Sequence, residues 1–288
     1  MTKPKVFVII PVHNRWKLTK KCLDSFLKQD YSNTEIVVID DGSTDQTSKG
    51  LKKYLDISVL KGDGSMYWTG AMYAGVEYAL KRGSPSDMIL SMNNDCTVDK
   101  NYVGNLVKKK SQKTIVGSFV VDSTTNRKIE TGVGIDWKKG TICSLRYKSN
   151  QKIDTLPGKG TLFPIEVFKD MGNYNKYLLP HYGSDYEMVC RAIRHGYKAI
   201  ISYDAKVSNL SKETGIENYS SDKLSFQELI ELAFSKRSKI NIINQLVFML
   251  LCCPIYLWPI NIFRIILKSL YLLSLTYPLN IIRRTIYK

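Results

Sequence analysis

Acidic and polar side chains follow several of the apolar runs that the sequence predicts to be strands. Asp41 comes just after the run Glu35–Ile39, and Asp95 comes just after the run Met88–Met92. Carboxylates gathered at one edge of a sheet repel each other unless a cation or a hydrogen-bonding ligand lies among them. The grouping therefore favours a site for a charged ligand, although each loop taken alone is also typical of an ordinary turn.

Alternating strands and helices are expected to position these side chains. The predicted strands are Lys5–Ile10, Glu35–Ile39, Ile57–Leu60 and Met88–Met92, and the predicted helices are Trp16–Gln29, Asp45–Tyr54 and Thr69–Lys81. This order is typical of a doubly wound α/β fold, in which ligands bind beyond the carboxyl ends of parallel strands. Pro11 is expected to end the first strand, because proline lacks the backbone donor.

The composition is that of a globular protein. The chain has 288 residues, of which 44% are hydrophobic and 24% charged, which excludes a disordered or collagen-like chain. Six cysteines without a CxxC pair and three histidines do not supply a zinc cluster, so reduced thiols are expected. The short apolar run at residues 6–12 lacks the features of a secretory signal, so the bulk of the protein is expected in the cytosol.

Four motifs in order resemble the family 2 inverting glycosyltransferases of the GT-A fold. The motifs are Val8–Asn14, Ile36–Asp45, Asn93–Asp95 and Gly183–Tyr197. The resemblance covers about residues 5–210, and Gly62–Gly70 with Leu178–Asp185 looks most like bacterial members that build cell-surface polysaccharides. It implies a mixed, mainly parallel sheet with helices on both faces, over a domain of residues 1–220. Residues 1–98 would form the nucleotide-binding half and residues 99–220 the acceptor half.

The resemblance also implies a nucleotide and metal site. Asp41 looks like the carboxylate that accepts a hydrogen bond from the imide N–H of a uracil or thymine base. The other residues implied to bind the nucleotide are Pro11, Val12, Asn14, Arg15, Asn93 and Asn94. Asp95 matches the last carboxylate of a DxD-type motif that holds Mg²⁺ or Mn²⁺. Because this motif reads Asn-Asn-Asp, and no histidine occurs near Val207–Asn209, the metal site is expected to be weaker than in relatives.

By motif position, Asp185 is the general base that takes the proton from the acceptor hydroxyl. Glu187 is the rival, but on a helix it projects about 200° away, toward an ion pair with Arg191. A helix N-cap is the structural alternative for Asp185. The residues implied to contact the donor sugar or the acceptor are Asp63, Trp68, Gly160, Thr161, His181 and Tyr182.

The C-terminal part carries a different kind of signal. The net charge is +16, yet eight basic residues and no acidic residue follow Glu231. Residues 221–239 are predicted to be a linker helix and residues 240–288 to be membrane-associating helices. The uncharged stretch Ile240–Phe263 is long enough to cross a bilayer, but its prolines would break a straight helix. Helices in the plane of an anionic leaflet, a span or hairpin, and a homodimer interface all stay open.

These features together predict an enzyme at the cytoplasmic face of the cell membrane, held there as a peripheral or monotopic protein. It would move a sugar from a nucleotide-diphosphate sugar, with UDP first and dTDP second, to a lipid-linked or growing cell-surface glycan. A sugar-phosphate nucleotidyltransferase is the first alternative, but residues 11–14 lack the glycine-rich basic loop that holds a triphosphate. A non-catalytic basic membrane-binding protein is the second. The acidic strand ends argue against a nucleic-acid partner.

Overall fold

A computed structural model of the chain describes residues 3–147, 151–209 and 226–274. Within them the strands are β1 (Val6–Val12), β2 (Thr34–Asp41), β3 (Ile57–Gly62), β4 (Met88–Ser91), β5 (Cys96–Val98), β6 (Thr114–Asp122), β7 (Lys128–Glu130), β8 (Val133–Asp136), β9 (Thr141–Ser144), β10 (Thr161–Pro164) and β11 (Lys198–Asn209). The helices are α1 (Trp16–Phe26), α2 (Thr47–Leu51), α3 (Tyr67–Arg82), α4 (Tyr102–Val107), α5 (Glu166–Met171), α6 (Ser184–Arg194), α7 (Phe226–Phe234), α8 (Ile242–Cys252) and α9 (Trp258–Ser274).

A mixed sheet organises the fold. Its strand order is β3-β2-β1-β4-β10-β6-β11-β5, with β7 paired to β6. Strands β3, β2, β1, β4, β6 and β11 run parallel, whereas β10, β5 and β7 run antiparallel to their neighbours. The mainly parallel α/β sheet predicted from the alternating pattern is confirmed, and it places the ends of β1, β2 and β4 side by side.

Helices cover both faces of this sheet. In β1 the side chains alternate, so that Val6, Val8 and Ile10 join a core with α1 and α4. Phe7 and Ile9 join a second core with α3, α5 and α6. All five are fully buried, which explains why this strand reads as a continuous apolar run.

Pro11 does not end the first strand, contrary to the prediction. Strand β1 continues to Val12, with Pro11 opposite Ile39 of β2. Pairing with β4 stops at Ile9, whose carbonyl accepts from the N–H of Met92. Residues of a parallel strand direct their backbone groups alternately to the two neighbours, so Pro11 faces the β4 side beyond the paired region. The missing N–H therefore breaks no ladder hydrogen bond.

The helix predicted over Asp45–Tyr54 is shorter in the structure. The N-cap position belongs to Gln46, and the carboxylate of Asp45 just before it accepts from the N–H of Thr47 at 2.8 Å. The helix α2 ends at Leu51, after which the N–H of Lys53 bonds to Gly50 and that of Tyr54 to Leu51. These i to i−3 bonds tighten the chain into a turn.

The C-terminal helices pack against the sheet domain. Phe248 and Cys252 of α8 form a third apolar cluster with Leu179 and with Cys190 of α6. The guanidinium of Arg194 donates to the last carbonyls of α8. Between α8 and α9, Pro254 precedes a single 3₁₀ turn, Ile255–Leu257, so the uncharged stretch is broken as its prolines predict.

In the described parts of the chain, no helix has both the length and the hydropathy that crossing a bilayer requires. Helix α7 lies within the predicted linker, while residues 221–225 of the linker and residues 275–288 of the tail lie outside the described residues.

Candidate active site at the strand ends

The loops after β1 and β2 are locked together by one asparagine. The amide oxygen of Asn14 accepts from the N–H groups of Thr44 at 2.8 Å and Asp45 at 3.2 Å. The backbone N–H of Asn14 donates to the hydroxyl of Ser43 at 2.8 Å. Asn14 and Arg15 both have φ near +60°, which is unusual for side chains with a Cβ and frequent at functional sites. This conformation turns the chain sharply and brings Arg15 to the end of β4.

Asp41 holds the entry to α3. Its two carboxylate oxygens accept from the N–H groups of Gly64 at 2.8 Å, Met66 at 3.3 Å and Tyr67 at 3.1 Å. The side chain is buried, and a carboxylate has about four acceptor positions, so one stays available. Reading a base with that position stays a prediction; supporting the loop is what the geometry shows.

Asp95 is a buried carboxylate with cations around it. Its side chain is 5% exposed, and its Oδ2 lies 4.0 Å from Nη1 of Arg15. Burial raises the pKa of the Asp95 carboxyl, while the positive charges of Lys159 and Arg15 act in the opposite direction. The neighbouring thiols of Cys22 and Cys96 have pKa values raised by burial and by the charge of Asp95, so they stay protonated.

The two asparagines before Asp95 are engaged elsewhere. The amide oxygen of Asn93 accepts from the indole N–H of Trp68 at 2.9 Å, and the amide of Asn94 donates to the hydroxyl of Thr19 at 3.0 Å. Among the described residues, no group of three His, Cys, Asp or Glu side chains comes together as metal ligands. A hard cation held here would have the carboxylate of Asp95 as its protein ligand and would need its other oxygens from elsewhere.

Asp185 lies in the first turn of α6 and reaches across to another loop. Its Oδ2 accepts from the N–H of Gly158 at 2.8 Å. A Cβ on Gly158 would lie 2.6 Å from the ring of Trp68 and 3.1 Å from Cβ of Asp185, so only glycine lets the three groups meet. The N-cap position of α6 belongs to Gly183, so the structural alternative for Asp185 does not apply.

Glu187 points elsewhere, as the helical geometry predicts. Its carboxylate is buried and pairs with Nε of Arg191 at 2.7 Å. The guanidinium of Arg191 also donates to the carbonyls of Met171 and Asn173. The rival carboxylate is therefore part of the packing between α6 and the preceding loop.

Tyr67, His181 and Tyr182 form an aromatic group that joins the start of α3 to the loop before α6. The rings of Tyr67 and Tyr182 lie 6.3 and 4.6 Å from the ring of His181, centre to centre. The N–H of Trp68 donates to Nδ1 of His181 at 3.3 Å. Burial, followed by the charges of Arg237 and Arg15, lowers the pKa of His181 from 6.5 to about 4. The ring is neutral at pH 7, with Nδ1 accepting and Nε2 left as a donor.

The remaining predicted residues differ in their surroundings. Gly160 and Thr161 form a buried floor, where the N–H of Gly160 donates to the carbonyl of Ser91 and the hydroxyl of Thr161 to that of Pro157. Pro11 and Val12 end β1 beside this edge. Asp63 instead faces solvent, and its carboxylate accepts from the N–H and hydroxyl of Ser65.

Two neighbours of the site were not assigned from the sequence. Lys159 acts electrostatically on Asp95, and its position between Gly158 and Gly160 could have indicated it. Tyr174 is buried with its ring 5.7 Å from that of Trp68, and burial and the charge of Asp185 raise the pKa of its phenol. No sequence pattern distinguishes Tyr174 from an ordinary core tyrosine.

The sheet order and the carboxylates at its strand ends define a GT-A glycosyltransferase fold. The family Glycosyl transferase family 2 matches residues 7–172, more than half of the chain, so the chain belongs to that family. The family match favours glycosyl transfer over the nucleotidyl transfer considered from the sequence.

Individual relatives match smaller parts. The chain is 32% identical over 108 residues to glycosyltransferase GlyA of Streptococcus pneumoniae serotype 4, covering 36% of this chain and 15% of GlyA. It covers 38% of a second glycosyltransferase of that organism, GlyG. The chain thus spans well under two thirds of these relatives.

Solved structures share the fold at low identity. GalNAc-T7 with UDP, GalNAc and Mn²⁺ has a TM-score of 0.60 at 18% identity, covering 72% of this chain and 44% of that one. The mannosyltransferase PcManGT from Pyrobaculum calidifontis with GDP-Man and Mn²⁺ has a TM-score of 0.57 at 15% identity, covering 100% and 76%.

Proposed function

We propose that this chain transfers a sugar, with inversion, from a nucleotide-diphosphate sugar to a hydroxyl of a lipid-linked or growing cell-surface glycan. UDP is the first expectation for the nucleotide and dTDP the second. The family match supports glycosyl transfer. The similarity to a streptococcal glycosyltransferase and to structures holding UDP or GDP-Man supports a nucleotide-sugar donor in a bacterial setting.

The position of Asp185 is the observation that carries this proposal. Its carboxylate adjoins Trp68 and Gly158, and Trp68 in turn bonds Asn93 near Asp95. One oxygen of Asp185 is fixed by the Gly158 N–H, which orients the carboxylate to take a proton from an attacking hydroxyl. The face of Trp68 would pack on the sugar ring.

The cations around Asp95 would act on the opposite side of the reaction. The attack breaks the bond between the anomeric carbon and the diphosphate oxygen, so negative charge grows on the departing nucleotide. Arg15 and Lys159 would stabilise that charge. Asp95 would hold Mg²⁺ or Mn²⁺, and the metal when bound supplies further positive charge to the diphosphate.

A donor screen tests the proposal. The purified chain is mixed with UDP-, dTDP- and GDP-sugars, and thermal stabilisation and release of the nucleoside diphosphate are measured. One nucleotide sugar is expected to stabilise the fold and to be turned over. Turnover of a sugar 1-phosphate with a nucleoside triphosphate, without turnover of any nucleotide sugar, would instead show a nucleotidyltransferase.

A lipid surface is the proposed partner of the C-terminal helices, at the cytoplasmic face of the membrane. Large apolar side chains of α9 are exposed at helical spacing, and they are Ile260, Phe263, Ile266, Leu267, Leu270 and Tyr271. Ile255 and Tyr256, just before α9, are 74% and 75% exposed. An exposed apolar stripe with the basic residue Lys268 on the same helix fits insertion into an anionic leaflet.

Vesicle sedimentation separates this partner from a homodimer. The unaltered chain should sediment with vesicles of phosphatidylglycerol and phosphatidylcholine, and Phe263→Ser with Leu267→Ser should reduce the bound fraction. Dimers that persist at low concentration, with no vesicle binding, would show that the stripe is an interface between copies of the chain.

A further inference from the structure

The segment between α7 and α8 displays three cations on one short turn. Lys236, Arg237 and Lys239 are exposed, whereas Ser238 between them is buried. The turn is held by its backbone, since the N–H of Ser238 donates to the carbonyl of Ser235 and the N–H of Asn241 to that of Ser238. The three charged residues therefore lie on a turn that backbone hydrogen bonds hold in place.

These cations lie over the aromatic group of Tyr67, His181 and Tyr182, on the proposed acceptor side. Nζ of Lys236 and Cζ of Arg237 are 5.7 and 5.5 Å from the ring centre of Tyr67, and Nζ of Lys239 is 6.0 Å from that of Tyr182. Tyr67 precedes Trp68 in the chain, and Trp68 packs on the Gly158 loop that holds Asp185. The turn thus borders the mouth of the proposed acceptor site.

Contacts with rings alone do not account for this arrangement. Each cation–π contact at an exposed position stabilises by about 0.5–1 kcal/mol, while like charges on one turn repel. Within the described residues, neither Lys236 nor Arg237 forms an ion pair with a carboxylate. The turn would therefore gain most from an anion placed over it.

The helix that follows the turn adds to the attraction for an anion. The turn leads into the N-terminus of α8, whose backbone dipole favours negative charge.

We propose that the turn Lys236–Lys239 binds the diphosphate that links an acceptor glycan to its lipid, and so positions the acceptor hydroxyl at Asp185. The proposal rests on the proposed function. It assigns the cations nearest the catalytic domain to the acceptor, separately from the apolar stripe of α9. A diphosphate at this place would be bound by charge, and its sugar would extend toward Tyr67 and Trp68.

Binding of farnesyl diphosphate to the full chain tests this site. The affinity is measured by calorimetry below the micellar concentration, with and without excess UDP, and with farnesol as the neutral probe. The combined change Lys236→Gln, Arg237→Gln and Lys239→Gln should weaken farnesyl diphosphate binding by about tenfold or more and leave farnesol binding unchanged. Higher ionic strength should weaken binding to the unaltered chain.

A second basic run provides the matched control. Lys108, Lys109 and Lys110 are also exposed, but they precede β6 and so lie at the opposite edge of the sheet. Changing all three to Gln removes the same charge and should alter the affinity less than twofold. An equal loss in both triple variants, or full competition by UDP, would overturn the proposal. Tighter binding of a glycerol phosphate oligomer than of farnesyl diphosphate would overturn the assignment to a lipid diphosphate.

Two further measurements distinguish loss of folding and loss of the proposed function from loss of diphosphate binding. Thermal unfolding shows whether the triple variant folds, and Lys236→Gln alone serves in its place if it does not. Nucleotide-sugar hydrolysis by the unaltered chain is followed in the same preparation. Its absence would reject the proposed function even if farnesyl diphosphate binds the turn, whereas its presence with no diphosphate binding would reject the turn alone.

Discussion

The strand-end loops and the turn before α8 hold their polar groups in opposite ways. At the strand ends the groups bind each other: Asp41 accepts three backbone N–H groups, and Asn14 ties two loops together. On the turn, Lys236 and Arg237 face solvent over aromatic rings. The proposed donor side is thus already hydrogen-bonded within the protein, while the proposed acceptor side would gain its polar partners on binding. This difference suits an enzyme that binds a small, uniform donor and a large, lipid-attached acceptor.

The largest expected effect is that of changing Asp185, the proposed general base. Asp185→Asn should lower turnover by about 10²–10⁴-fold, because an amide cannot take the proton from the acceptor hydroxyl. Affinity for the nucleotide, measured by calorimetry, should change less than twofold. The control is Glu166→Gln, which removes an exposed carboxylate on α5. Turnover of Asp185→Asn equal to that of the control would remove Asp185 as the base.

Removing the carboxylate of Asp41 from the strand-end loops should lower the stability of the fold. Asp41→Ala leaves three partly buried N–H groups without their charged acceptor, so the free energy of unfolding should fall by about 2–4 kcal/mol. Asp41→Asn should lose less, because one amide oxygen can still accept. Urea denaturation measures both variants. A loss below about 1 kcal/mol for Asp41→Ala would show that the loop is held by other contacts.

The free energy of unfolding should depend on pH through His181, on the proposed acceptor side. Its pKa is lowered to about 4 in the folded chain, against 6.5 ordinarily, so the unfolded chain binds a proton more readily. Stability from this residue is full above pH 6.5 and falls as the pH drops toward 4, by up to about 3 kcal/mol. His181→Gln should have a flatter stability curve across this window. Parallel curves for the two proteins would contradict the buried, neutral ring.

A smaller effect is expected at the metal position. Asp95→Asn should weaken UDP binding by about tenfold in saturating Mg²⁺, since it removes the one charged oxygen ligand proposed there. In EDTA, UDP binding should be unchanged or slightly tighter, because the carboxylate no longer repels the diphosphate. Equal weakening with and without metal would contradict a metal role for Asp95.

The sequence predicted the sheet and its polar edge well, because both depend on local pattern. Apolar runs at the strands and turn residues after them mark the ends of β2 and β4 to within two residues. The direction of Glu187 away from Asp185 also follows from helix geometry alone and is confirmed by its pair with Arg191. The prediction for Pro11 was wrong, because a strand tolerates proline where the missing N–H would point to a side without a paired neighbour. The sequence alone does not show to which side each residue directs its backbone groups.

Long-range contacts were beyond the sequence pattern. The N–H groups that Asp41 accepts come from residues 23 to 26 positions away, and a turn sequence does not show them. The uncharged stretch Ile240–Phe263 could be either membrane-facing or core-facing by hydropathy. In the structure Phe248 packs on the sheet domain, whereas Phe263 is exposed. Only the tertiary fold shows which of the two faces the core.

The stereochemistry of the product distinguishes the proposed mechanism from its alternatives. In that mechanism a single displacement takes place, and Asp185 activates the acceptor hydroxyl. With the donor found in the screen, the anomeric configuration of the first-formed product is read by proton NMR. An α-linked donor should give a β-linked product, and Asp185→Asn should give almost none. A product that keeps the donor's configuration would contradict a single displacement activated by Asp185.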